Sequence, residues 1–192
     1  MGKIVALLGK SASGKDTILN RLLGEVGFLR VLPVTTRPRR PGEEDGVNYK
    51  FMSPGRFAQA KANGEFIETR EYHTLYNGIP DIWYYATARA GIDLSSGNYV
   101  AIVDLDALDA LRAEYKEDLF AVYLDVPEEV RRRRCVGRGD FSVEEWERRE
   151  ADDNNKYTAH VLDEKIDLIL DNTSGEVAFD KLITFLKSKS CI

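Results

Sequence analysis

Residues 9–17 read Gly-Lys-Ser-Ala-Ser-Gly-Lys-Asp-Thr and follow the apolar run Ile4–Leu8. The outline Gly-x-x-x-x-Gly-Lys is that of a phosphate-binding loop. Its glycines let the backbone curl until N–H groups face an anion, beside the positive end of a helix. The context supports the motif: a buried strand precedes it and an amphipathic helix begins at Gly14. Lys15 then supplies a point charge for the outer phosphates, and Gly9, Ser11, Ala12, Ser13, Gly14, Asp16 and Thr17 complete the cradle. The loop breaks the common pattern at Asp16, where a hydroxyl residue usually follows the lysine. That hydroxyl binds Mg²⁺, and a carboxylate is also a hard oxygen ligand for the ion. Asp16 is therefore expected to hold the metal directly or through one of its waters, with Thr17 nearby. The alternative is an acid that only stabilises the helix dipole.

A second cluster lies in TTRPRRPGEEDGVNYKF, residues 35–51, which carries Arg37, Arg39 and Arg40, then Glu43 and Tyr49. Arginines this dense, broken by Pro38, cannot line a salt-bridged helical face; they suit a loop that grips a phosphate with guanidinium forks. Further on, Arg131, Arg134 and Arg138 fall at i, i+3 and i+7 on one helical face, whereas Arg132 and Arg133 point elsewhere. His73 and His160 are the only histidines and sit in no motif.

The elements that must position these groups alternate along the chain. Ile4–Leu8 reads as a strand buried on both faces, and 15–23 as a helix with an apolar stripe of Ile18, Leu19, Leu22 and Leu23. Further strands are expected at Tyr99–Val103, Phe120–Leu124 and Leu168–Leu170, each followed by a helical pattern: 107–115, 128–137 and 176–187, with another helix at 143–156. Strands alternating with helices imply an α/β fold with a parallel sheet. Residues 34–87 break the rhythm with Gly, Pro, Tyr and charge, and short extended pieces at Tyr49–Met52 and Phe66–Thr69. They read as a small inserted subdomain, and the polar stretch 138–144 reads as a second loop.

Composition bounds the rest. With 192 residues and 43% hydrophobic content the chain buries one good core as a single domain. A net charge of −5 argues against a nucleic-acid partner. Cys135 and Cys191 match neither a metal spacing nor a disulfide framework, and Cys135 is expected to be a packed thiol. No long apolar run or signal-peptide pattern is present, so no membrane association and a cytoplasmic location are expected.

At residues 35–51 the chain resembles the guanylate kinases, whose acceptor segment reads approximately T-T-R-x-x-R-x-G-E-x-x-G-x-x-Y-x-F; every fixed position is present from Thr35 to Phe51. The similarity continues through GEFIE (64–68), IVDLD (102–106), RRCVGRG (133–139) and Arg149, and so spans nearly the whole chain. The resemblance implies a P-loop kinase: a core of 1–33 and 88–192, a monophosphate-binding insertion at 34–87, and a short lid at about 138–148. It implies transfer from ATP, with Mg²⁺, to GMP or dGMP, by a monomer or homodimer. Residue by residue, it implies that Arg37, Arg40, Tyr49 and Tyr85 hold the acceptor phosphate and that Glu43 orients the arginines. Glu68 and Asp106 would read guanine, Asp104 would organise magnesium and its waters, Arg134 would join the ATP site, and Arg138 and Arg149 would clamp the phosphates in transfer. Catalysis would then rest on Lys15, Arg40, Arg138 and Arg149.

Three departures accompany the match. Pro33 stands where the family commonly has a hydroxyl that touches guanine. The acceptor tyrosine usually follows the glutamate closely in Tyr-Tyr-Gly-Thr; here YYAT (84–87) fits, but TLYNGIPDIW intervenes, and Tyr76 is a rival alignment. The third is Asp16, an acid found there also in the related ribose 1,5-bisphosphate phosphokinases, which lack the acceptor segment. A kinase for another phosphorylated acceptor is thus the alternative. A non-catalytic guanylate-kinase-like module is disfavoured by the intact Gly9, Gly14 and Lys15.

Overall fold

The computed structural model describes residues 2–76, 79–137 and 142–192. The chain opens with strand β1 (Ile4–Leu8), helix α1 (Lys15–Arg21) continued by a π-helical turn (Leu22–Val26), and strand β2 (Leu29–Arg30). Strands β3 (Pro33–Thr35) and β4 (Lys50–Phe51), helix α2 (Pro54–Ala62) and the long strands β5 (Phe66–Tyr76) and β6 (Ile79–Ala88) follow. Then come β7 (Tyr99–Ile102), α3 (Leu105–Tyr115), β8 (Leu119–Asp125) and α4 (Glu128–Val136). Helices α5 (Val143–Lys156) and α6 (Ala159–Lys165), strand β9 (Leu168–Asp171) and helix α7 (Gly175–Ser188) complete it.

A parallel five-stranded sheet, in the order β2-β7-β1-β8-β9, forms the core. Strand β1 is central and its five side chains are all buried. Val5 and Leu7 enter one cluster with Ile18, Leu19 and Leu22 of the first helical segment and Phe179, Leu182 and Leu186 of α7. Ile4, Ala6 and Leu8 enter the opposite cluster with Ala107, Leu108 and Leu111 of α3. Helices on both faces explain why the strand is a continuous apolar run without alternation. Burying a leucine or isoleucine fully contributes ~1.5–3 kcal/mol, so this strand fixes where the loop after Leu8 emerges. It emerges at the carboxyl edge of the parallel strands, where open α/β sheets bind ligands.

A second sheet, in the order β4-β3-β6-β5, stands over that edge. Its β3–β6 and β5–β6 pairings are antiparallel, and α2 packs beneath it through Phe57 and Ala60 against Val34, Phe66 and Ala86. The segment TLYNGIPDIW, whose place in the fold the sequence left open, lies largely in the two arms of this hairpin. Strand β5 stays paired with β6 out to Tyr76 and Ile79.

The remaining differences from the sequence reading are local. Helix 143–156 has the expected bounds, while β8 and α3 start one or two residues earlier than expected. Helices α2 and α6 were not read, although each carries a start signal: Ser53 caps α2 ahead of Pro54, and Thr158 caps α6. Of the two free thiols Cys191 is the buried one, and Cys135 is only half-buried.

Candidate active site

The phosphate loop begins where β1 ends. Gly9 (φ 147°) and Gly14 (φ 95°) take backbone angles that side chains rarely adopt, and a Cβ on Gly14 would lie 2.7 Å from Asn172 Nδ2. Lys15 opens α1 and folds back over the loop, donating from Nζ to the carbonyls of Gly9 (2.7 Å) and Lys10 (3.0 Å). Beneath the loop, the Ser13 carbonyl accepts from Asn172 Nδ2 (2.7 Å) and Arg134 Nη1 (3.3 Å). Arg134 also donates to the carbonyls of Asn172 (2.8 Å) and Thr173 (3.2 Å), so it braces the loop against the end of β9. Ala12 (φ 61°) is the one non-glycine of the loop in the left-handed region. Asp16 and Thr17 are exposed on the first turn of α1, near its N-terminus.

Arg131 shares its face of α4 with Arg134 and, like it, reaches the phosphate loop, donating from Nη1 to the Ser11 carbonyl (3.4 Å). It is 2% exposed and makes a two-pronged ion pair with Glu150 of α5 (2.7 and 2.8 Å), while its Nε donates to the Val126 carbonyl (3.0 Å). A buried guanidinium needs this many partners to offset its lost hydration, and its donors hold α4 to α5 and to the phosphate loop. Arg138 lies outside the described residues.

At the other end of the site, Glu43 organises the arginine loop. Its Oε1 accepts from Arg37 Nη2 (2.7 Å) and its Oε2 from the Arg40 backbone N–H (2.8 Å), and the Arg37 bond holds its carboxyl below the ordinary glutamate range. Arg37 is 4% exposed and lies 5.2 Å from the Tyr49 ring centre. Tyr85 stands edge-on to Tyr49 with ring centres 6.3 Å apart, and burial pushes its phenol up despite the nearby Arg37. Tyr76, its rival in the sequence, is exposed at the far end of β5, against Trp83.

Between these ends, Glu68 and Arg70 lie two apart on β5, and so on one face of it. Glu68 Oε1 accepts from Thr87 Oγ1 (2.8 Å) and Oε2 from Arg70 Nε (3.1 Å). Arg70 Nη1 reaches Asp104 Oδ2, while Asp104 Oδ1 accepts the Ala107 N–H (3.0 Å) and caps α3. Asp106 is exposed in the first turn of that helix. Sequence reading missed Arg70 and Thr87. The two-residue spacing from Glu68 was a usable signal for Arg70.

From α5, Arg149 Nε donates to Glu145 Oε1 (2.6 Å), and Arg148 grips both oxygens of the same carboxylate (2.8 and 2.9 Å). Arg148 first, and Arg149 with it, depress the Glu145 carboxyl to about 2. Arg148 also contacts Tyr72 Oη of β5 at 3.3 Å, bridging α5 to the second sheet. Arg148 was not singled out in the sequence, since only a tertiary contact distinguishes it from its neighbours.

One cleft of about 840 Å³ joins these parts. Ser11 and Asp16 line one end, Pro33, Arg40, Tyr49 and Tyr85 the other, and Arg70, Asp104, Asp106, Arg148 and Arg149 the middle. Among the described residues no group of three or more His, Cys, Asp or Glu side chains is arranged to hold a metal. A magnesium ion carried by phosphates needs only one or two protein carboxylates, and Asp16 and Asp104 both face this cleft. No helix among the described residues is long and apolar enough to cross a membrane.

Comparison with known proteins gives a consistent picture. The family model described as guanylate kinase matches residues 1–189. A guanylate kinase of Symbiobacterium thermophilum is 35% identical over 154 residues, 79% of this chain and 70% of that protein. One from Desulfotalea psychrophila is 29% identical over 187 residues, 96% of this chain and 80% of its own. The crystal structure of guanylate kinase from Anaplasma phagocytophilum superposes with a TM-score of 0.67 at 23% identity, covering 98% of this chain and 86% of that one, and shares its fold.

Proposed function

From the premise that the chain belongs to the guanylate kinase family, we propose that it transfers the terminal phosphoryl group of ATP to GMP or dGMP, giving ADP and the nucleoside diphosphate. The observation that carries this is the single cleft with a phosphate loop at one end and the Arg37–Glu43–Arg40 cluster, with Tyr49 and Tyr85, at the other. Two anion sites facing each other across one cavity suit a reaction between two phosphorylated molecules.

Each residue's part follows from its chemistry. The loop's N–H groups and Lys15 hold the donor phosphates, and Lys15 follows the charge that shifts onto the leaving group. Arg37, Arg40, Tyr49 and Tyr85 hold the acceptor phosphate in line, so that positioning supplies much of the rate. Arg149, with Arg138, supplies positive charge to the phosphoryl in flight. Glu68 and Asp106 accept the base's N–H donors. Asp16 and Asp104 would hold Mg²⁺ or its waters, and the ion, when bound, neutralises charge on the donor's outer phosphates. Segments 34–87 and about 138–148 close over the substrates and exclude water.

The test is product analysis. Incubation with ATP and GMP should yield equal amounts of ADP and GDP on chromatography. Lys15→Ala should lower the rate by ~10²–10³ in a folded protein. ADP formed without GDP, or full activity in the folded variant, would overturn the reading.

A further inference from the structure

The carboxylate expected to read the base does not line the cleft. Glu68 has an 8% exposed side chain and stands behind Arg70, which does line it. Arg70 is fixed on two sides, by Glu68 through Nε and by Asp104 through Nη1, and its Nη2 makes no hydrogen bond to any described residue. A planar guanidinium held at two of its nitrogens has its third aimed in one direction.

We propose that Arg70 is a specificity-determining residue of the acceptor site, donating an N–H to the exocyclic oxygen of a 6-oxopurine from a guanidinium that Glu68 and Asp104 hold in place. The proposal rests on the guanylate kinase reading and deepens it. An N–H donor on the cleft wall complements a base edge that carries an acceptor. Guanine offers that acceptor in O6. Adenine carries an amine at that position, a donor that would face the Arg70 donor. The rest of the wall supports the assignment. Pro33 lines the same cleft and offers no donor from side chain or backbone, so a nearby group must meet the oxygen. Thr87 already donates its hydroxyl to Glu68. Asp104 and Asp106 are carboxylates, and neither donates a hydrogen bond when ionised. Of Pro33, Thr87, Asp104, Asp106 and Arg70, Arg70 is the one that both lines the cleft and keeps an N–H without a partner among the described residues.

The test compares GMP with 6-thio-GMP, which keeps N1–H and the 2-amino group and exchanges only O6 for a weaker acceptor. The wild-type protein should prefer GMP in kcat/KM by roughly 10- to 150-fold, the range of a charge-assisted hydrogen bond. Arg70→Met should flatten that preference to within about threefold, a small part of one such bond. Arg70→Gln, which keeps one donor without the charge, should retain an intermediate preference. It also serves as the second variant should the methionine chain fail to fold. A residue that only braces Glu68 predicts otherwise: each variant would lose activity equally on both acceptors, with the wild-type preference intact, and that result would overturn the proposal. Wild-type protein that ignores GMP altogether would instead strike down the parent reading, and this inference with it.

Discussion

Ser11 of the phosphate loop donates its backbone N–H to Asp153 Oδ2 of α5 at 2.7 Å, across 142 residues of sequence. The bond ties the helix that carries Arg148 and Arg149 to the loop that carries Lys15. The two charged ends of the phosphoryl site are therefore set relative to each other by a bond from the loop to a residue outside any motif.

Asp153→Ala should release that tie. A hydrogen bond to a charged group contributes ~1.5–3 kcal/mol, so stability should fall by about that amount. Exchange of the Ser11 amide should quicken at least tenfold in the unliganded protein, by the same free-energy scale. Unchanged exchange at Ser11 would show that the loop holds its shape without Asp153.

The Arg131–Glu150 pair should matter for stability, with a definite pH signature. Removing one partner of a buried pair leaves an uncompensated charge and costs ~3–5 kcal/mol, so Glu150→Ala should be destabilised on that scale at neutral pH. Arg131 holds the folded-state Glu150 carboxyl below its ordinary value. Its contribution is then full above the unfolded value of about 4.3 and is lost as pH falls through the lower folded one. Denaturant titrations of wild type and variant should converge on acidification through that window. A gap independent of pH would contradict the assignment.

These two contacts mark where the sequence stopped being legible. The parallel core could be read because Ile4–Leu8 is buried on both faces, and nothing else requires so continuous an apolar run. Helix 143–156 could be read because its charged residues leave Trp146 to face inward. The hairpin arms of β5 and β6 were obscured because the strands pack only partly and mix Thr, Arg, His and Asp with their aromatics. The dipeptide Asn77-Gly78 between them, itself outside the described residues, was a turn signal that could have been used. Arg131, Asp153 and Arg70 were opaque for a different reason. The partners Glu150, Ser11 and Asp104 lie on other elements, and spacing along one helix or strand does not reveal those contacts.

Asp16 should govern the metal requirement. Asp16→Ala should raise the Mg²⁺ concentration needed for half-maximal rate, and Asp16→Ser should restore much of the wild-type behaviour because a hydroxyl also suits the ion. Identical Mg²⁺ titrations for all three proteins would leave Asp16 as a helix-end acid.

Glu43 should act on the acceptor alone. It holds Arg37 and the Arg40 backbone and is absent from the residues lining the cleft. Glu43→Ala should therefore raise KM for GMP by roughly 10-fold or more, the scale of one charged hydrogen bond, with KM for ATP within about twofold of wild type, well under one such bond. A parallel rise in both constants would point to a general loss of structure.

This cleft is expected to phosphorylate a guanine nucleotide. ADP release, measured across GMP, dGMP, AMP, CMP, UMP and ribose 1,5-bisphosphate at fixed ATP and Mg²⁺, tests it most directly. The kcat/KM for GMP or dGMP should exceed that for AMP by roughly 10⁴ or more, since a site built around base donors leaves its own groups unpaired against adenine. Pyrimidine nucleotides and the pentose bisphosphate should stay near background. Comparable turnover of AMP, or a rate on ribose 1,5-bisphosphate above that on GMP, would contradict it.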